Sequence, residues 1–191
     1  MVIQNIEETF APETAIDGVT FKPVRSHPDD RGFFRELIRC SDPFFADGFA
    51  QWSHSKMARQ TVKAWHFHHR QTDWWYVGVG VARTVLIDNR KESPTYRRQL
   101  EFFLGEPSDD PKALCAVVRI PPGVLHGCRV ESESAHLFYI TSTTYNPEDE
   151  GRLPFNDPEI GYNWGPEEQL IVSDNDRKTF IPPHPLEDRR R

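Results

Sequence analysis

The ionisable residues crowd into one short stretch of this 191-residue chain: Lys63, His66, His68, His69, Arg70 and Asp73. Histidine exchanges protons near neutral pH and ligates metals, so such a cluster points to proton transfer or metal binding. If residues 61–68 (TVKAWHFH) form a strand, alternate side chains share a face. His66 and His68 then lie beside Val62 and Ala64, with Lys63, Trp65 and Phe67 on the other face. Two histidines beside small apolar residues read as a pair facing a cavity; the competing reading is a solvated strand end. A second feature is Pro121-Pro122-Gly123-Val124-Leu125-His126-Gly127, a turn that presents His126 at the start of a strand.

The elements that must hold these groups are strands. Runs rich in β-branched and aromatic residues occupy 18–24, 32–39, 49–55, 61–68, 74–79, 82–88, 114–120, 126–131 and 135–143. Each ends at Gly, Pro, Asp or Asn, or close to one, which predicts a sandwich, jelly roll or barrel. Residues 41–48 predict one short helix behind a Ser or Asp cap, and 105–112 a polar turn. Beyond Pro147 the chain is polar and proline-rich, with only Gln169–Val172 apolar enough to dock. Phe33, Phe34, Phe44, Phe45, Phe102 and Phe103 read as core or interface.

Composition removes several classes. Thirteen Phe, five Trp and five Tyr exclude disorder throughout, and 16 prolines disfavour long helices. The net charge of −6 argues against nucleic acid or anionic membrane as partner. No apolar run is long enough to span a membrane, and the first residues carry no signal-peptide pattern. Cys40, Cys115 and Cys128 are odd in number and widely spaced, which points to a reducing, cytoplasmic setting. The lone Gly78-x-Gly80 sits between strands and is no dinucleotide fingerprint.

His-x-His, a nearby acid and a later Pro-x-Gly-x-x-His together resemble the double signature of the cupin barrel. The likeness then becomes closer. Arg31-Gly32-Phe33-Phe34-Arg35-Glu36, Gln51-Trp52-Ser53-His54-Ser55, Lys63-Ala64-Trp65-His66 and Asp88-Asn89-Arg90 follow one another in order. They are followed by Pro121–Gly127, Phe138-Tyr139-Ile140-Thr141 with Tyr145, Asn156-Asp157 and Gly161-Tyr162-Asn163-Trp164. In this order the motifs resemble the dTDP-4-dehydrorhamnose 3,5-epimerase family over residues 18–183.

The resemblance implies an all-β cupin jelly roll of two antiparallel sheets, between an N-terminal arm (1–17) and a basic tail (184–191). It implies a homodimer and a cofactor-independent isomerase acting on a nucleotide-linked 4-keto-6-deoxyhexose through an enolate. His66 would be the base, Asp157 its carboxylate partner and Tyr139 the acid on the opposite face. Arg31, Glu36, Gln51, Lys63, His68, His126 and Trp164 would contact substrate. One departure stands out: Asp73 falls where the family carries a lysine that steadies the enolate. His68 or His54, if protonated, would have to stand in for it. The alternatives are a metal-dependent cupin using His66, His68, Asp73 and His126, or a sugar-nucleotide-binding protein without turnover.

Overall fold

The computed structural model describes residues 15–183. Fourteen strands run in chain order: β1 (Thr20–Pro23), β2 (Ser26–Asp29), β3 (Gly32–Arg35), β4 (Gln51–Ala58), β5 (Thr61–His68), β6 (Asp73–Val79) and β7 (Val81–Asp88). Then come β8 (Gln99–Gly105), β9 (Ala113–Leu114), β10 (Ala116–Ile120), β11 (Val124–Val130), β12 (Ser134–Thr141), β13 (Glu150–Arg152) and β14 (Ile171–Val172). One sheet has the order β1-β10-β6-β12-β4; the other runs β13-β5-β11-β7-β8-β9, with β14 added beside β5. Pairing is antiparallel except at β8–β9 and β14–β5. This is the two-sheet jelly roll that the sequence predicts.

The inner faces meet in one cluster. Trp75, Val77, Val118, Ile120 and Leu137 come from the first sheet, and Leu86, Leu100, Phe102, Leu104 and Cys128 from the second. Burial of Cys128 pushes its thiol up to about 12, so it behaves as a small hydrophobe. Each sheet is also covered outside. Phe155, Trp164 and neighbours between 153 and 172 blanket the outer face of the second sheet, against Val62, Trp65, Val85 and Leu125. Val24 and Phe45 cover Trp74, Tyr76, Val117 and Ile140 on the first. The proline-rich C-terminal stretch is thus a lid on the sheet that carries β5.

Several local expectations change. Residues 41–48 hold a single 3-10 turn, Pro43–Phe45, capped by Asp42, whose Oδ1 accepts from the Phe44 N–H at 2.9 Å. Strand β8 lies in a segment not expected to be extended; its alternating Leu100, Phe102 and Leu104 point inward between polar neighbours. Phe33 and Phe34 are 58% and 67% exposed on the β2–β3 hairpin, so they belong to no core among the described residues. Most of the N-terminal arm and the whole basic tail lie outside the described residues.

Candidate active site

The site begins with a bulge. On β11, His126 and Cys128 are two positions apart, whereas their partners on β5, His66 and Lys63, are three apart. The extra residue breaks strict alternation. Lys63, His66 and His68 all line the cavity between the sheets, while Ala64, Trp65 and Phe67 join the covered outer cluster. The expected placement of Lys63 opposite the histidines is therefore corrected. The Ala64–Trp65 peptide bond inside the bulge is cis. Gly127 makes room for it: a Cβ there would meet the Ala64 Cβ at 2.6 Å and the Lys63 carbonyl oxygen at 3.1 Å.

The cavity holds about 200 Å³. One wall is β5 and β11, with Lys63, His66, His68 and His126; the other is β4, β6 and β12, with Gln51, Asp73, Trp75 and Tyr139. Histidines thus face a tyrosine across the gap.

At the rim, His66 Nε2 lies 2.6 Å from Asp176 Oδ1. Asp176 belongs to the 3-10 turn Asn175–Arg177, held against β5 by the short parallel strand β14. Its second oxygen accepts from Ser173 Oγ at 2.8 Å. Burial pushes the Asp176 carboxyl up, but the hydrogen bonds of His66 and Ser173 and nearby positive charge outweigh it, leaving it below its ordinary value. An ionised Asp176 accepts a proton-bearing Nε2. Nδ1 of the neutral His66 ring is then the nitrogen with a free lone pair.

The floor differs. His68, Asp73 and His126 are buried, with ligand atoms all within 4.8 Å of one another. His126 Nδ1 lies 3.1 Å from the Val124 carbonyl oxygen, so Nδ1 carries the hydrogen and Nε2 the lone pair. Gln71 Nε2 donates to Asp73 Oδ1 at 2.7 Å, and Trp75 Nε1 to Asp73 Oδ2 at 3.2 Å. Burial raises the Asp73 carboxyl and lowers the His126 imidazole well below its usual value.

Other expected site residues fall elsewhere. Asp157 is not the partner of His66: its Oδ1 accepts from the backbone N–H groups of Glu159 and Ile160 and fixes that turn. The signal for Asp176 was its position just after the docking segment Gln169–Val172, whose last two residues form the strand that pairs with β5. Trp164 does not close the cavity. It is 2% exposed behind β5, packs on Trp65 and Tyr162, and donates to the Phe155 carbonyl at 3.0 Å. Arg31 pairs with Asp29 and Glu36 with Arg39 on the exposed surface, away from this chain's cavity. His54 also lies outside, stacked on Phe138 and 3.1 Å from His136, so it cannot replace the lysine. Of the four metal ligands considered, His66 is turned to Asp176 and the other three converge.

Comparison with known proteins agrees with this architecture. The family model for dTDP-4-dehydrorhamnose 3,5-epimerase matches residues 13–181. The spore coat polysaccharide biosynthesis protein SpsL of Bacillus subtilis is 42% identical over 155 residues, covering 80% of this chain and 98% of that protein. The dTDP-4-dehydrorhamnose 3,5-epimerase of Pseudomonas aeruginosa is 31% identical over 171 residues, covering 85% and 89%. Among solved structures, the dTDP-6-deoxy-D-glucose-3,5-epimerase of Legionella pneumophila with dTDP-4-keto-L-rhamnose has a TM-score of 0.74 at 26% identity, covering 85% and 87%.

Proposed function

This chain belongs to the dTDP-4-dehydrorhamnose 3,5-epimerase family, and from that premise we propose how its residues carry the reaction. It is an isomerase of deoxysugar biosynthesis, and its substrate is a dTDP-linked 4-keto-6-deoxyhexose. The sugar enters the cavity between the sheets and the nucleotide lies over its mouth, near Gln51 and Tyr145.

The C4 ketone acidifies the hydrogens on C3 and C5. His66 takes one of them on Nδ1, and Asp176 keeps Nε2 protonated and steadies the imidazolium. The electrons move into an enolate whose oxygen needs positive charge or hydrogen-bond donors, one of them Lys63 on the same wall. Inversion requires the new proton from the opposite side, and Tyr139 stands on the opposite sheet. The observation that carries this reading is the His66–Asp176 pair facing Tyr139 across one cavity.

Solvent exchange tests it. The protein with dTDP-4-keto-6-deoxyglucose in D2O should place deuterium at C3, C5 or both, read by NMR and mass. His66→Asn should lose at least about 10²-fold in exchange and bind dTDP nearly as before. Exchange that persists in that variant refutes the assignment. Nucleotide binding without any exchange in the wild type would favour a binding role for this sugar.

We also propose a homodimer. The exposed Phe33 and Phe34, and Arg31 and Glu36 beyond this chain's own cavity, support a hairpin that meets a second copy. A light-scattering mass of one chain at micromolar concentration would exclude it. The free thiols, including exposed Cys40, support a reducing cytoplasmic setting. No described helix is long and apolar enough to cross a membrane.

A further inference from the structure

The cavity floor gathers electron pairs, and among the described residues no Lys or Arg is paired with Asp73 there. Asp73 Oδ1 lies 3.9 Å from His68 Nε2, and Asp73 Oδ2 lies 3.9 Å from His126 Nε2. Both distances are too long for a hydrogen bond. The Val124 carbonyl holds the hydrogen of His126 on Nδ1, so the lone pair of Nε2 faces the carboxylate. Metal-binding histidines are commonly oriented by such a backbone contact through their other nitrogen. Trp75 and Gln71 orient the carboxylate in the same way. All three residues are less than 9% exposed, which limits how far bulk water satisfies them.

We propose that His68, Asp73 and His126 form a binding site for one divalent first-row transition metal. Ligands about 2.1 Å from a metal stand roughly 3–4 Å apart, and the trio needs only small side-chain adjustment to reach that. Gln71 Nε2, 3.2 Å from His68 Nε2, bridges His68 and Asp73; a cation at the centre takes over this bridge and leaves the amide on Asp73. Two imidazoles and a carboxylate suit iron, manganese, nickel or zinc and leave coordination positions open. Such an ion would supply the positive charge that Asp73 denies the enolate. That role, though not the site, rests on the epimerase reading.

The test uses the full chain, stripped with a chelator and titrated with Co(II) alone. One equivalent should bind, with visible absorption bands of cobalt in a nitrogen–oxygen site. His126→Gln should lose those bands, and His68→Gln provides the same test if the first variant melts early. Trp75→Phe, which removes one carboxylate contact, should weaken binding about 10-fold. His66→Asn should bind as the wild type does. No stoichiometric uptake, or equal uptake by a folded His126→Gln or His68→Gln, overturns the site. Deuterium exchange is measured in parallel. Exchange without uptake sinks the metal site alone, whereas uptake without exchange supports the site and counts against the enolisation.

Discussion

At the cavity rim, about a quarter of the His66 side chain is exposed and a carboxylate oxygen lies 2.6 Å from its Nε2. On the floor, the His126 side chain is 3% exposed and the carboxylate oxygen facing its Nε2 is 3.9 Å away. The two histidines are partners across the β5–β11 ladder. Their chemistry differs because of what reaches the ring. At the rim, a turn 110 residues away in sequence delivers Asp176 close enough to share a proton. On the floor, the carboxylate stands off at a spacing that leaves room for another atom. An imidazole beside an aspartate is thus no single device: separation and access decide between handling a proton and holding a cation.

The largest expected effect comes from breaking the rim alone. Asp176→Asn keeps the shape but offers Nε2 either an amide oxygen or an amide donor, and it removes the charge that favours the imidazolium. Exchange should fall about 10²- to 10⁴-fold, with Co(II) uptake by the floor unchanged. Asp157→Asn disturbs only its own turn and should retain near wild-type turnover. Equal losses in both variants would refute the assignment of Asp176.

That contrast shows where the sequence is readable. His66, His68, Asp73 and His126 sit in or beside strands whose patterns are local, and the cavity gathers all four. Asp157 and Asp176 both lie in a polar, proline-rich stretch where no periodicity says which turn folds back. Only the pairing of β14 with β5 selects Asp176. Lys63 was misplaced because a bulge is a property of two strands in register, which one strand's alternation does not contain. Trp164 looked like a ligand-stacking residue because its burial depends on a distant sheet face.

A smaller effect separates the two walls. Tyr139→Phe removes the acid of the opposite sheet and leaves the His66–Asp176 pair intact. Solvent deuterium should still enter the substrate, since His66 can take and return a proton on one side. Net inversion should fall at least about 10²-fold. The ratio of exchange to inversion is the diagnostic, read by NMR on one sample. Parallel loss of both would show that Tyr139 serves binding rather than protonation.

The mildest perturbation leaves the cavity and asks whether a fully satisfied carboxylate behaves unlike Asp73. Asp88, at the end of β7, is fully buried like Asp73 but meets Arg90, Ser93 and Thr95. Burial alone would push its carboxyl up; the hydrogen bonds from those residues more than offset this and hold it well below the usual range. A depressed folded value means stability that is present above the unfolded value of about 3.9 and is lost as pH falls below it. Asp88→Asn would turn an amide donor toward the guanidinium and should cost about 3 kcal/mol at pH 7, or roughly 10 °C in Tm. The variant's melting curve should also be flatter than the wild type's between about pH 5 and 2. Asp73 has the opposite direction, raised by burial, so the acid limb of the wild type should not be assigned to the cavity floor. If Asp88→Asn leaves that limb unchanged, the loop that Asp88 anchors, from Arg90 to Arg98, is not where acid begins to open the fold.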